Sequence, residues 1–119
     1  MLLFVYGTLK SDERASGILL DAGGKYIGPA TTVPRYRLFQ FSWFPTMVED
    51  ETGVAVEGEL WYVPDSGIAT LDQYEGSGFR RTPIDLEKPE KKGDVIAYLF
   101  QGETVGLELC SAGSWKGSG

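Results

Sequence analysis

Residues 54 to 63 read VAVEGELWYV, and this stretch decides what kind of fold the chain can adopt. Val54, Val56, Gly58, Leu60 and Tyr62 alternate with Ala55, Glu57, Glu59, Trp61 and Val63. A period of two places the first set on one side of an extended chain, and the second set, with its two acids, on the other. That is the pattern of a half-buried antiparallel strand. The segments to either side carry compatible signals. KYIGPATTV from Lys25, RYRLFQF from Arg35 and TMVED after Pro45 read as strands, with a kink at the proline. Further on, FRRTPIDL and DVIAYLF are two more, joined by the charged and solvent-facing EKPEKKG. At the N-terminus LLFVY, residues 2 to 6, forms a short buried strand that Gly7 ends.

Helical signals are fewer. Ser11 suits an N-cap, Asp12 and Glu13 a first turn, and Ile18, Leu19 and Ala22 an apolar face, with Gly23-Gly24 closing a helix over about residues 11 to 22. Pro64-Asp65 opens a second helix, in which Ile68, Leu71 and Tyr74 share a face and Gly76 supplies a left-handed stop. Glu75 then falls on the last helical residue or its cap. Six or seven short strands with two short helices predict an α+β domain in which a strongly curved sheet or small barrel wraps its own core. A length of 119 residues suits one domain over residues 1–119, burying roughly two-thirds of the surface its unfolded chain exposes. The tail from Gly102 is rich in Gly and Ser but contains Trp115.

Composition narrows the function. A net charge of −6 argues against nucleic acid and against an anionic membrane surface, since both call for clustered Lys and Arg. Lys91-Lys92 and Arg80-Arg81 are isolated pairs beside acids. MLLFV is too short for a signal-peptide core and lacks a basic leader, and no stretch approaches the length of a membrane span. Cys110, the single cysteine, cannot form an intrachain disulfide, which fits a reducing cytoplasm. The chain contains no histidine, so neither a Ser-His-Asp nor a Cys-His relay can be built, and a zinc site lacks its usual ligands. Proton transfer falls to Asp, Glu, Lys or Tyr.

FVYGTLK at the start, GELWYV in mid-chain, LDQYEGSGFRR at 71 to 81 and AYLF later, in this order and spacing, resemble the gamma-glutamylcyclotransferase-like superfamily. The likeness is to the short AIG2-like and gamma-glutamylaminecyclotransferase group, and it extends to the tail SAGSW. It implies a small mixed, mostly antiparallel β-barrel with two short flanking helices, and a cofactor-free cyclisation of a gamma-glutamyl group to 5-oxoproline with release of an amine. It further implies that Tyr6, Gly7, Thr8 and Leu9 hold the glutamyl head group, that Glu75 is the catalytic acid/base, and that Tyr36, Phe79 and Trp115 line the pocket. Phe79 stands where the family often has Tyr, and Ser11-Asp12 where a Gly is common.

The chemistry of the residues agrees with this. In a gamma-glutamyl amide the substrate's own α-amine can close a five-membered ring on its side-chain carbonyl, so the protein needs no nucleophile of its own. A helix C-terminus, with Tyr74 and Phe79 excluding water, should raise the proton affinity of Glu75. Freed backbone N–H groups at residues 7 to 9 can bind a carboxylate or oxyanion. Taken singly, YGTL is a strand-to-loop turn and Glu75 a solvated cap, while Asp72 is a helix-surface acid and Arg81 pairs with a surface acid. Trp43, Phe44 and Trp61 read as packing. Two other functions fit the sequence. One is a non-catalytic small-molecule-binding or regulatory protein on the same fold, and the other a metal-dependent hydrolase using Glu49, Asp50 and Glu51. The expected partner is a small gamma-glutamyl substrate, with no cofactor, and the chain is expected to be a monomer or weak homodimer.

Overall fold

A closed barrel forms because one strand is bonded along both of its edges. In the computed structural model, which describes residues 1–6, 16–41 and 44–110, β1 (Leu2–Val5) pairs antiparallel with β5 (Glu57–Tyr62) and parallel with β7 (Lys91–Phe100). The ring is completed by β2 (Lys25–Thr32) and β6 (Phe79–Lys88), in the order β1-β5-β2-β6-β7. A second sheet has the order β4-β3-β8, from β4 (Phe44–Glu49), β3 (Tyr36–Phe41) and β8 (Glu108–Cys110). Two helices complete the described fold, α1 (Ser16–Asp21) and α2 (Asp65–Glu75).

Alternation along the strands divides the apolar residues between two cores. Phe4, Tyr6, Leu60, Ile84, Leu86, Val95, Ala97 and Leu99 pack inside the barrel, joined from the second sheet by Leu38 and Met47. Leu3, Val5, Trp61, Val63 and Tyr98 lie on the outer face and are covered by Leu19 and Ala22 of the first helical segment and by Ile68 and Leu71 of α2. β1 is therefore buried on both faces, which explains why LLFV is apolar throughout.

This arrangement revises the reading of residues 54 to 63. The strand proper begins at Glu57, and Val54 makes only an isolated bridge to Tyr36. Trp61 and Val63, on the face assigned to the acids, are buried because the helices cover that face. Among the described residues there are eight strands rather than six or seven. Pro45, read as a kink, lies within β4 opposite Gln40, at the edge of its sheet, where a missing N–H is tolerated. β8 lies in the Gly- and Ser-rich tail, where no strand was expected. Of the first helix, residues 16–21 are helical, and its expected start at Ser11 lies outside the described residues.

α2 is what positions the site. Asp65 in its first turn suits the positive end of the helix dipole, and Ile68 and Leu71 anchor its inner face. Gly67 lets it approach α1, since a Cβ there would collide with the Ala22 carbonyl. After Glu75, Gly76 has φ +79° and ψ −176°. It is thus not the left-handed helical cap expected, but an extended turn in a region that essentially only glycine adopts. Its N–H bonds the Asp72 carbonyl at 3.0 Å, and the chain turns straight into β6.

Candidate active site

Glu75, the last residue of α2, is partly buried, and burial pushes its carboxyl from an ordinary 4.5 up to about 7. The direction is the one expected from the sequence, though the cause is desolvation by the fold. Tyr74 is itself 37% exposed. Across from Glu75 is Tyr6, which follows β1 and is buried. Its hydroxyl donates to the Tyr98 carbonyl of β7. Burial, and then the charge of Glu75, raises the Tyr6 phenol well above its ordinary value, so it stays protonated.

Tyr98 links this strand to the helix. Its hydroxyl donates to Asp72 Oδ1 at 2.8 Å, and Arg81 Nε of β6 meets the same oxygen at 3.1 Å. Burial raises the Tyr98 hydroxyl, and its bond to Asp72 and the charges of Asp72 and Glu75 raise it further. One carboxylate therefore joins β6, β7 and α2 a single turn before Glu75.

The other residues singled out from sequence are distributed as follows. Phe79 opens β6, packs against the helix-facing core, and sets its ring 5.6 Å from that of Phe100. Tyr36 is buried in the barrel core, and the charges acting on it come from Glu49, Asp85 and Arg35 rather than from Glu75. Gly7, Thr8, Leu9 and Trp115 lie outside the described residues, as does Trp43. Trp61 is a packing residue, as read, and its indole N–H donates to Glu59 Oε1 at 3.1 Å.

Sequence reasoning missed Tyr98 and gave Asp72 too small a part. The available signals were the spacing of three between Asp72 and Glu75, which puts both on one helix face, and the tyrosine within AYLF. Among the described residues no three His, Cys, Asp or Glu side chains converge as a metal site. The carboxylate of Asp50 is occupied by Arg37 at 2.8 Å and by Thr52. An open groove of about 590 Å³ along β6, the end of β7 and the segment after it is lined by residues of both charges, including Arg80, Arg81, Glu49 and Glu103, and Glu75 is not among its lining residues. No described helix is long and apolar enough to cross a membrane.

A carboxyl balanced near neutrality, flanked by tyrosines held in their neutral form, can take up a proton and return it within one turnover. The sequence profile of the gamma-glutamyl cyclotransferase, AIG2-like family matches residues 3–117. The chain belongs to that family. Among solved structures, this AIG2-like chain is similar to c4763, a uropathogenic E. coli-specific protein, at 29% identity and TM-score 0.87, over 96% of this chain and 91% of that one. It shares its fold with an AIG2-like protein from Mus musculus, at 22% identity and TM-score 0.84, over 99% and 89% of the two chains. YkqA from Bacillus subtilis is similar at 27% identity and TM-score 0.76, over 96% of this chain and 39% of that one. No curated protein matches the chain. Membership supports a gamma-glutamyl cyclotransferase-type function at the level of the family.

Proposed function

We propose that this chain is a cofactor-free gamma-glutamyl cyclotransferase in which Glu75 is the general acid/base. The observation that carries the reading is the placement of Glu75, half-buried at the end of α2, facing Tyr6 and titrating near neutrality. The substrate's α-ammonium gives a proton to the Glu75 carboxylate, and the freed amine attacks the gamma-carbonyl carbon. The new C–N bond closes a five-membered ring. As the tetrahedral centre collapses, Glu75 returns its proton to the leaving nitrogen as the bond to it breaks, then relays the extra proton of the ring nitrogen to the released amine, giving 5-oxoproline and an ammonium ion. The acid/base ends as it began.

Holding the glutamyl chain in its folded, attacking shape can contribute up to about 7 to 11 kcal/mol of the barrier. Proton transfer by a placed carboxylate adds about a hundred- to ten-thousandfold. Neither contribution requires a histidine, a protein nucleophile or a metal, in keeping with the composition. Tyr6, with residues 7 to 9, is assigned to the glutamyl head group, and a reducing cytoplasm to the site of action.

The test is release of 5-oxoproline, followed by mass spectrometry, from gamma-glutamyl dipeptides, gamma-glutamyl amines and ε-(gamma-glutamyl)lysine. Wild type should turn over at least one class, and Glu75→Gln should do so about a hundred- to ten-thousandfold more slowly. Folded wild-type protein that cyclises no member would overturn the reading in favour of a binding protein, and the preferred member would identify the leaving amine.

A further inference from the structure

Asp72 and Glu75 are three residues apart on one helix, so their side chains are neighbours. Two like charges so placed on a helix surface repel one another. The fold answers this with Arg81, whose Nε meets Asp72 Oδ1 at 3.1 Å. Tyr98 fixes the same oxygen at 2.8 Å, and its own backbone carbonyl accepts the Tyr6 hydroxyl. Tyr98 feels all three charges, those of Asp72, Glu75 and Arg81. The charge of Glu75 acts on Tyr6, which follows β1, and on Tyr98 of β7, with Asp72 one turn earlier on the helix and Arg81 brought to Asp72 by β6.

We infer that Asp72 and Arg81 are a positioning pair for Glu75, fixed by Tyr98, which ties the end of α2 to the barrel and cancels the charge beside the acid/base. Both side chains are about two-fifths exposed, so the pair adds little to stability. Its effect is to leave Glu75 with a net-neutral neighbourhood, so that burial alone sets when it ionises. The catalytic consequence rests on the role proposed for Glu75, whereas the electrostatic one does not.

The experiment titrates the Glu75 carboxyl directly, by carbon-13 NMR of glutamate-labelled protein without substrate, the resonance being assigned by its loss in Glu75→Gln. Asp72→Asn leaves Arg81 uncompensated and should move the midpoint down by about half a pH unit or more at low salt. Arg81→Gln leaves Asp72 uncompensated and should move it up by a similar amount. The double variant should return to near the wild-type midpoint, and Arg81→Lys should stay there, because it keeps the charge. A purely structural pair predicts something else, namely single variants that move the midpoint together or not at all, and a lysine that behaves like glutamine. Either result, or a double variant that fails to return, overturns the inference. Because no turnover is needed, opposite displacements in a protein that cyclises no gamma-glutamyl compound would sink the functional reading and leave the pair standing.

Discussion

Glu75 is ionised only at a cost. In the folded chain it holds its proton up to about 7, while the unfolded chain releases it near 4.5. Below the lower value both states carry the proton and stability is unaffected. Between the two only the unfolded state ionises, so stability falls as pH rises, and above 7 the whole penalty remains, on the order of 3 kcal/mol. Glu75→Gln should therefore be the more stable protein at about pH 8 and gain little at about pH 4, as urea unfolding at the two values would read. Activity follows the opposite trend, because the base must be ionised to accept the α-ammonium proton. The rate should rise with pH through about 7, and the same substitution should lower it about a hundred- to ten-thousandfold. An acid limb near the ordinary 4.5 would contradict the buried placement. The residue itself was legible from the sequence as a helix-terminal acid. The direction of its altered proton affinity was legible too, but not its extent, because desolvation depends on what the barrel places around it.

At the level of elements, everything near the site depends on where α2 comes to rest. Ile68 and Leu71 set its rotation and Gly67 its distance from the first helical segment, so that its last turn arrives over Tyr6 and Tyr98. Gly67→Ala should force the two backbones apart and cost about 1 to 3 kcal/mol, read as a fall in thermal midpoint together with a loss of turnover as Glu75 shifts. Gly76→Ala should cost about as much for a different reason, since its backbone lies in a region that side chains do not tolerate. Alternation along residues 54 to 63 identified the strand but not the burial of its second face, because a period of two cannot say whether a helix covers the far side. Pro45 misled for a related reason, as a proline breaks a strand in the middle of a sheet and not at its edge.

For the whole molecule, barrel closure fixes which parts hold together longest. β1 is bonded along both edges and buried on both faces, whereas β8 is a three-residue strand at a sheet edge. Native-state hydrogen exchange should find the amides of Leu3 and Phe4 among the slowest and those of β8 far faster. Exchange at β1 as fast as at β8 would mean that the ring opens locally. By itself the sequence determined the α+β class, a curved sheet or small barrel with two helices, the candidate acid at the end of the second helix and, through the missing histidines, the exclusion of any histidine-based relay. Those features are written in local periodicity, turn residues and the inventory of side chains. Only the tertiary structure decided that Glu75 is desolvated, that Tyr98 and Arg81 meet on Asp72, and that the outer barrel face is a second core. Arg81 and Tyr98 are far from Asp72 along the chain or lie on other elements, and strand register and closure, which no local pattern encodes, bring them to one oxygen atom.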